Sequence, residues 1–400
     1  MKQDKDSVNH RRDRAPRLLF VVNISFSFIH NRLVLAQAAQ AAGYEVHLAT
    51  RVYRAEDSER IRKAGIQLHP IEIGRGDSGF LYDLRSLWYL RRLYRRLQPD
   101  LVHHLAMKPI VFGGLVARFS GVRLVVQAFT GLGYAFSGAG ALSALRRKLI
   151  ILALRVGCRR AGTIAVLQNR ADIEELIVER IIQREQAVLI RGSGVAVDEI
   201  NVRPEPAGVV RVLLPARMLR EKGVEEFVGA ADQLRGWGVS AEFLLAGDTD
   251  PSNPGGLSLE QLNDWTRSGV VQYLGFVQDI PSLLSSCHII CLPSYYREGL
   301  SKSLVEAAAC GRAIVTTDRP GCRDVVQDGV NGLLVPARDV PSLAMALKRL
   351  IDNPGLRQQF GAAGRELAVS EFDLNIVVEQ TLGVYEKLLK QDTPVRIAAS

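Results

Sequence analysis

The sequence predicts an α/β protein made of two doubly wound domains. From Arg17 onward, short apolar runs alternate with amphipathic stretches, which is the pattern of βα units that build a parallel sheet. The chain has 400 residues, which is more than one hydrophobic core usually supports. Its composition, 47% hydrophobic and 23% charged, is that of an ordinary globular protein. Each half is therefore long enough to fold as a unit of its own.

The predicted strands divide into two sets with a polar segment between them. In the first half they cover 17–23, 44–50, 100–105, 123–129, 162–167 and 187–192, and in the second half 209–216, 241–247, 270–275, 288–294 and 313–318. Residues 196–208 contain two prolines and no sustained hydrophobic period, which predicts an interdomain linker. The predicted domains are then 17–195 and 209–371, with a disordered leader at 1–16 and an amphipathic helix at about 372–390.

Composition and charge narrow the functional classes. The first 16 residues are charged and lack a following apolar segment, which argues against a secretory signal. The longest apolar stretch, 149–154, is too short to cross a bilayer. The five cysteines lack CxxC spacing, which favours buried thiols in a reducing cytosol. A net charge of +9 predicts anionic partners, and charge alone leaves nucleotide diphosphates, anionic lipid and nucleic acid open.

The segment 294–311 is the most informative about chemistry. It follows a predicted strand, turns at a Glu-Gly pair and continues as an amphipathic helix in which seven residues separate Glu298 from Glu306. The glycine allows a ligand to approach the backbone, and N–H groups at the positive end of a helix suit a diphosphate. A carboxylate at position 306, among apolar residues, needs donors that a ribose diol would supply. The ligand-binding candidates of this turn are Gly299, Leu300 and Ser301.

A purely structural interpretation of the same segment stays open. Glu298 would then be an acid at a helix start, which the helix dipole favours. Glu306 would pair with Lys302 at i, i+4.

A basic cluster at 215–223 follows the first predicted strand of the second half. It presents Arg217, Arg220 and Lys222 in a turn between a strand and a helix. The alternatives are a phosphate-binding group of cations and a solvated basic turn.

Two stretches of the second half resemble the family 4 retaining glycosyltransferases. Segment 294–311 resembles the E-x7-E motif of that family, and 313–336 resembles the strand and loop that follow it. The resemblance extends from about residue 17 to residue 390. It implies the GT-B architecture, in which two Rossmann-like domains face each other across a cleft and the C-terminal helix returns to the first domain. It also implies that Glu298 faces the donor sugar and that Glu306 holds the ribose.

The resemblance extends to the basic cluster. The R-x4-K spacing of Arg217 and Lys222 is similar to the diphosphate clamp of the family, where two cations offset the charge of the leaving nucleotide. Arg220 has no counterpart there and is expected at the surface. Gly275, at the end of a predicted strand, is a further donor-binding candidate. A UDP-sugar donor is implied, with no cofactor and no metal.

In the first half, the catalytic candidates are His103 and His104. Related transferases often read H-x-H here, with the second histidine near the reacting sugar, but the aligned position is Leu105. His103 could be a satisfied core residue, whereas His104, on the opposite face of the strand, could line the cleft.

The acceptor side is expected around a glycine-rich loop. Segment 130–140 resembles the loop of transferases that act on polyprenyl-diphosphate-linked sugars, and 191–200 is similar to the G-S-G-V-D segment of that subgroup, with Ala196 in place of the acid. For segment 130–140 the alternative is a flexible surface loop. For Arg32, in the loop that opens the first domain, the alternative is a solvated side chain. The acceptor-binding candidates are Lys108, Gly131, Gly133, Tyr134 and Arg32.

The expected function follows from these observations and the resemblance. The chain should move a hexosyl or N-acetylhexosaminyl unit from a UDP-sugar to a polyprenyl-diphosphate-linked saccharide, with retention, at the cytoplasmic face of the membrane. Segments 84–97 and 144–160 mix arginines with large apolar residues and could be interfacial helices or packed helices with a basic edge. No nucleic-acid motif accompanies the charge. The alternative functions are transfer to a soluble acceptor, epimerisation of a sugar nucleotide, and a catalytically silent scaffold.

Overall fold

A computed structural model describes residues 14–72, 80–133, 141–251 and 253–392. Within these residues the chain divides into two compact units. Unit 1 contains 14–130, 141–190 and 378–392, and unit 2 contains 131–133 and 191–377 apart from residue 252. Most of the predicted leader, 1–13, lies outside the described residues.

In its described part, unit 1 is built on one parallel sheet of seven strands. The strands run in the order β3-β2-β1-β4-β5-β6-β7. Their bounds are β1 Arg17–Ile24, β2 Glu45–Arg51, β3 Gln67–Pro70, β4 Leu101–Leu105, β5 Leu124–Ala128, β6 Thr163–Leu167 and β7 Ala187–Leu189. The order changes direction between β1 and β4, and a doubly wound sheet binds its ligands beyond the carboxyl ends of the strands at that point.

The helices of unit 1 follow the strands as the alternation predicts. They are α1 Ser25–Asn31, α2 Leu33–Ala41, α3 Ala55–Lys63, α4 Phe80–Leu97, α5 Met107–Phe119, α6 Ala141–Cys158 and α7 Arg170–Val178. Helix α5 packs against both α4 and α6. Gly114 and Gly157 meet where α5 and α6 touch, since a Cβ on Gly157 would lie 3.1 Å from the Cα of Gly114. Side chains at these two positions would push the helices apart.

Unit 2 repeats the architecture with six parallel strands among its described residues. Their order is β10-β9-β8-β11-β12-β13. Their bounds are β8 Val210–Pro215, β9 Ala241–Ala246, β10 Gln272–Tyr273, β11 Ile289–Leu292, β12 Ala313–Thr317 and β13 Gly332–Val335. Here the order changes direction between β8 and β11, so the carboxyl ends of these two strands mark the expected ligand crevice.

The helices of unit 2 begin where the sequence provides caps. They are α8 Val224–Gly236, α9 Leu259–Arg267, α10 Ile280–Ser285, α11 Lys302–Ala309, α12 Val340–Ile351 and α13 Pro354–Glu371. The C-terminal helix, α14 Leu374–Asp392, begins in unit 2 and belongs to unit 1 from residue 378 onward. Asp279, Asp339 and Asn353 cap α10, α12 and α13 by accepting a backbone N–H three residues on, and each is followed by a proline at the helix start. In the described part of the chain, no helix is long and apolar enough to span a membrane.

The predicted linker, 196–208, is fixed to unit 2 by three arginines. Arg357 forms a bidentate pair with Glu205, with both N–O distances at 2.9 Å. Arg312 and Arg365 donate to backbone carbonyls of the same segment. The segment predicted as the interdomain linker is therefore bound to unit 2, and the chain passes between the compact units five residues before the predicted end of the first domain, at 190–191.

Candidate active site

In unit 2, a lysine and a glutamate that are 76 residues apart in sequence meet at the carboxyl ends of β8 and β11. Lys222 lies in the turn after β8, and its Nζ is 2.7 Å from Oε1 of Glu298, in the loop after β11. The side chain of Lys222 is 16% exposed and that of Glu298 11%. Because the pair is largely withdrawn from water, its electrostatic interaction is stronger than that of a surface ion pair.

The turn that carries the lysine is bound to the loop that carries the glutamate. The carbonyl of Glu221 accepts hydrogen bonds from the backbone N–H groups of Tyr295 and Tyr296, at 3.0 and 3.1 Å. Gly223 has φ +78°, and a Cβ there would lie 2.2 Å from the carbonyl oxygen of Pro293. Only glycine fits this contact, so the position of the turn is fixed by the backbone.

Ser294 also holds the glutamate, and the sequence analysis missed it. Its hydroxyl is buried and lies 3.1 Å from both Oε1 of Glu298 and the carbonyl oxygen of Glu221. The signal that could have identified it is a hydroxyl residue directly after a buried strand and four residues before the first glutamate of the motif. Ser294 is therefore a positioning residue for Glu298.

We expect the Ser294→Ala variant to lose roughly tenfold in kcat/KM for the transfer reaction that the sequence predicts, the size of one hydrogen bond to a charged group. The loss should arise because Glu298 keeps Lys222 but gains freedom to turn. Steady-state kinetics with the Ser286→Ala variant as control would test this, since that hydroxyl bonds only within its own helix turn and beside Cys287. Equal rates for Ser294→Ala and wild type would contradict the positioning role.

The second glutamate of the motif lies in α11 with its charge poorly matched. Burial raises the pKa of Glu306, and this effect exceeds the opposing attraction of Lys302. The Nζ of Lys302 is 3.8 Å from the carboxylate, beyond hydrogen-bonding distance. The i, i+4 pair considered from the sequence is thus present, but its two charges are too far apart for a hydrogen bond. The Glu306 carboxylate can therefore accept hydrogen bonds from hydroxyl groups.

At the start of α11 the expectation is corrected for Ser301. The backbone N–H of Ser301 donates to the carbonyl of Gly321 at 3.1 Å, so it is not available to a ligand. The side chain of Leu300 packs in an apolar cluster of unit 2 and against Gly192. A donor could therefore meet only the backbone of Leu300, as predicted for Gly299.

The two arginines of the basic cluster have separate partners. Nη1 of Arg217 lies 2.8 Å from Asp250, and the Arg217 side chain is 52% exposed. Arg220 pairs with Glu225 in the same way, at the surface. Neither arginine is in hydrogen-bond contact with the Lys222–Glu298 pair in this structure, so the predicted clamp is represented here by the lysine alone.

Two glycines predicted on the acceptor side belong to unit 2 and press against the glutamate loop. A Cβ on Gly131 would lie 2.6 Å from the nitrogen of Gly299 and 2.9 Å from the carbonyl oxygen of Arg297. The N–H of Gly133 donates to that same carbonyl at 3.2 Å, and a Cβ there would lie 2.5 Å from the hydroxyl of Tyr296. Gly131 is required because the two backbones approach closely beside Glu298, whereas Gly133 has φ +44° and lies against the Tyr296 side chain.

Three further candidates contribute less. The carbonyl of Gly275 accepts a hydrogen bond from the N–H of Gly247, and the space around its α-carbon is open. Lys108 is half-buried in the first turn of α5. Tyr134 lies outside the described residues.

In unit 1, His104 is a core residue, which corrects the expectation that it lines a cleft. Its side chain is fully buried, with Nε2 2.6 Å from the hydroxyl of Tyr94 and Nδ1 2.9 Å from Oε1 of Gln127. Because the amide oxygen of Gln127 only accepts, Nδ1 carries the proton and Tyr94 donates to Nε2. Burial lowers the pKa of His104 to about 4. Both ring nitrogens are satisfied, so His104 has no atom left for catalysis.

His104 should make the protein sensitive to acid. Its pKa is about 4 when folded, against about 6.5 unfolded, so its contribution is complete above pH 6.5 and is lost as the pH falls towards 4. The free energy of unfolding should drop by up to about 3 kcal/mol over that range from this residue. Urea unfolding at several pH values would measure this, and His104→Gln should flatten the dependence. The control is His30→Gln, which replaces an exposed histidine. If the free energy of unfolding of His104→Gln falls with pH as steeply as that of wild type, the assignment is contradicted.

His103 points to the opposite face of β4, towards Phe20 and Tyr385. Its side chain is 2% exposed, and Nδ1 lies 2.5 Å from the hydroxyl of Tyr385 on α14. Burial is the main cause that holds the pKa of His103 well below 6.5, with smaller contributions from Arg32 and His104. The ring is therefore neutral at pH 7.

Comparison with known proteins decides the family. Residues 17–168 match the family described as "Glycosyl transferase 4-like", and residues 210–353 match "Glycosyl transferases group 1". The second match contains Lys222, Glu298 and Glu306. The chain is a glycosyltransferase with a 4-like first domain and a group 1 second domain.

This glycosyltransferase also resembles individual proteins over nearly its whole length. It is 27% identical over 391 residues to the N,N'-diacetylbacillosaminyl-diphospho-undecaprenol alpha-1,3-N-acetylgalactosaminyltransferase of Campylobacter jejuni, covering 94% of this chain and 99% of the relative. Sucrose-phosphate synthase from Thermosynechococcus elongatus has a TM-score of 0.78 at 19% identity, covering 94% and 100%. Anabaena Alr3699/HepE in complex with UDP and glucose has a TM-score of 0.72 at 17% identity, covering 92% and 99%. The predicted fold, two parallel-sheet Rossmann-like domains of the GT-B type, is confirmed.

Proposed function

We propose that this glycosyltransferase moves a hexosyl or N-acetylhexosaminyl unit from a UDP-sugar to a polyprenyl-diphosphate-linked saccharide, with retention of the anomeric configuration. The observation that carries the proposal is the desolvated Lys222–Glu298 pair where the sheet of unit 2 changes direction. The UDP donor is supported by the Anabaena protein of the same fold, whose structure contains UDP and glucose. The lipid-linked acceptor is supported by the Campylobacter jejuni relative, whose name specifies a diphospho-undecaprenol substrate.

In the proposed reaction, Lys222 stabilises the leaving diphosphate. The acceptor hydroxyl oxygen forms a bond to the anomeric carbon while the bond from that carbon to the phosphate oxygen breaks. The electron pair of the broken bond stays on UDP. The hydroxyl proton passes to a phosphate oxygen of UDP on the same face, which retains the configuration. The lysine ammonium offsets the charge that develops on that phosphate, in a largely desolvated place where a fixed charge is most effective.

The two glutamates hold the donor in this proposal. Lys222 and Ser294 position Glu298, which accepts hydrogen bonds from hydroxyl groups of the donor sugar. Glu306 accepts the two ribose hydroxyls, which supply the hydrogen bonds that its poorly matched carboxylate lacks. Arg217, half-exposed beside its partner Asp250, would exchange that carboxylate for the diphosphate when the donor binds.

The experiment supplies purified protein with a panel of UDP- and GDP-sugars and a polyprenyl-diphosphate-linked saccharide, and measures nucleotide release and the glycolipid product. Product formation with UDP-sugars should be lost in Glu298→Gln and kept in Glu225→Gln, a control at a surface ion pair. It should persist in EDTA, because the chain's own cations supply the positive charge. An α-linked product from an α-linked donor, identified by NMR, would establish retention.

Other outcomes would favour the alternative functions. Equal turnover of a soluble saccharide without the lipid diphosphate would identify a soluble-acceptor transferase. Acceptor-independent conversion or hydrolysis of the donor would identify an epimerase or hydrolase. Donor binding without any turnover would leave a silent scaffold.

We further propose that the enzyme works at the inner face of the cell membrane, with α6 of unit 1 against the lipid. Four large apolar side chains on α6 recur at spacings of four, three and four residues and are between 38% and 59% exposed. They are Leu145, Leu149, Leu152 and Val156. Exposed cations, Lys148, Arg155 and Arg159, lie along one edge of this stripe. An apolar stripe with a cationic edge matches the surface of an anionic bilayer.

Helix α4 adds to the same side of unit 1. Leu84 and Trp88 are exposed on it, and the guanidinium of Arg92 lies 5.6 Å from the Trp88 ring centre. Helix α5 packs between α4 and α6. Of the two interpretations of these segments, the interfacial one is favoured, because the large apolar side chains face outward.

Vesicle flotation tests this surface without any reaction. Vesicles containing phosphatidylglycerol should bind the wild type, and binding of Leu149→Ser/Leu152→Ser should fall about tenfold or more, since burial of two leucines is lost. Met345→Ser, an equally exposed apolar position in unit 2, is the control. Unchanged binding would remove α6 from the proposal. A change of oligomeric mass in the double variant without vesicles would make the stripe a protein contact instead.

A further inference from the structure

A buried arginine in unit 1 has no counter-charge among the residues that the structure describes. Arg32 follows α1 and is only 9% exposed. Its Nε is buried without a hydrogen-bond partner, and the ion pairs of the described residues do not include it. Burial lowers the pKa of Arg32 to about 10, so the side chain is still charged at pH 7. A protein rarely keeps a buried cation unmatched unless a ligand supplies the opposite charge.

His103 presents a second unsatisfied donor. Burial raises the pKa of Tyr385 well above its usual value, so its hydroxyl keeps the proton and donates it to Nδ1 of His103. The neutral ring then carries its own proton on Nε2, which is buried and has no partner. With its proton on Nε2 and the other nitrogen occupied, His103 can donate a hydrogen bond but cannot act as a general base.

The two groups lie near each other where the sheet of unit 1 changes direction. β1 and β4 are neighbours in the sheet, with His103 opposite Phe20 in the register. Arg32 is close enough for its charge to lower the pKa values of both His103 and Tyr385. His103 is the third of the five residues of β4, and the ligand crevice of a doubly wound sheet lies beyond the carboxyl ends of the strands that flank this change of direction.

We propose that Arg32 and His103 bind phosphate oxygens of the diphosphate in the lipid-linked acceptor. Two donors, one of them charged, each with a buried nitrogen that has no hydrogen-bond partner among the described residues, fit a phosphate oxygen better than a neutral hydroxyl. We assign this site to the diphosphate of the acceptor and not to that of the donor. The reason is that the cations expected on the donor diphosphate, Lys222 and Arg217, belong to unit 2. The choice of ligand rests on the proposed function, whereas the anion site itself does not. His103 thus positions a substrate and is not the base.

A binding experiment with inorganic pyrophosphate tests the site without turnover. Thermal unfolding is followed in a Lys222→Ala background, which weakens binding at the donor site. Pyrophosphate should raise the melting temperature of this protein, and the added Arg32→Gln change should remove most of that rise, whereas exposed Arg62→Gln should keep it. Without pyrophosphate, Arg32→Gln should melt no lower than its parent, because the substitution removes an unmatched buried charge. A lower melting temperature with an unchanged pyrophosphate effect would make Arg32 structural and overturn the proposal.

Kinetics then identify which diphosphate occupies the site. In otherwise wild-type protein, Arg32→Gln should raise the KM of the lipid-linked acceptor roughly 10- to 100-fold, the size expected on losing a charge-assisted hydrogen bond, and leave the KM of the donor unchanged. A saccharide acceptor without the diphosphate should be used equally by variant and wild type. A rise in the donor KM would assign the site to the nucleotide and overturn the acceptor assignment. If no transfer is found at all, the pyrophosphate result still decides whether the anion site exists.

Discussion

Replacing Lys222 with alanine is expected to lower kcat for sugar transfer about 10²- to 10³-fold, the usual effect of removing one fixed group that stabilises developing charge. The effect should be large because the ammonium lies in a largely desolvated place, 2.7 Å from Glu298. Steady-state kinetics at saturating donor would measure it. The variant also removes the ammonium that pairs with a nearly buried carboxylate, so donor binding should weaken as well.

Arg220→Ala is the matched control for this prediction. Both residues belong to the same short 3-10 turn, but Arg220 is exposed and pairs with Glu225. Its removal should change kcat less than about twofold, as for an ordinary surface charge. If Lys222→Ala retained activity within about threefold of wild type, the lysine would not stabilise the transition state.

Replacing Arg357 with methionine is expected to have the largest effect on stability. Its guanidinium is buried, forms the bidentate pair with Glu205 and donates to the carbonyls of Leu350 and Ile351 at 2.7 and 3.0 Å. Methionine fills much of the space but leaves a partly buried carboxylate and two carbonyls without their donor. Breaking a buried pair in this way costs about 3–5 kcal/mol. Urea unfolding, followed by tryptophan fluorescence, would measure it.

Two comparisons make this stability prediction specific. Arg235→Met removes an exposed pair with Asp232 and should cost less than about 0.5 kcal/mol. Adding Glu205→Gln to Arg357→Met should recover part of the loss, since the unpaired charge is then removed. A loss below about 1 kcal/mol in Arg357→Met would show that solvent reaches the pair readily.

Local patterns were sufficient for most of the fold. The strands β1, β8 and β12 are nearly continuous runs of buried apolar residues, and such runs are typical of parallel sheets covered on both faces. The two strands that the sequence analysis missed are short. β3 is a partly exposed four-residue strand that ends in proline, at one edge of the sheet of unit 1. β13 is a four-residue strand at one edge of the sheet of unit 2. β3 buries little apolar surface, and β13, although mostly buried, is only four residues long and begins with glycine, so both leave a weak pattern in the sequence.

The predicted linker and the two histidines show that local sequence pattern did not predict tertiary contacts. Residues 196–208 have the polar, proline-containing composition of a linker, but arginines more than a hundred residues away bind their carbonyls and Glu205. His103 and His104 are adjacent in sequence, and alternation along the strand correctly put them on opposite faces. Which face held satisfied core partners depended on Tyr94, Gln127 and Tyr385, which belong to other elements.

The sequence by itself determined the alternation that makes two parallel-sheet units, the glutamate spacing in α11 and the basic turn after β8, because periodicity, caps and motif spacing are local properties. Only the tertiary structure decided that Lys222 meets Glu298, that Ser294 orients the glutamate and that Arg32 stays unmatched beside His103. These are relations between residues far apart in the chain. They depend on the strand order, which places the ends of β8 and β11, and of β1 and β4, side by side.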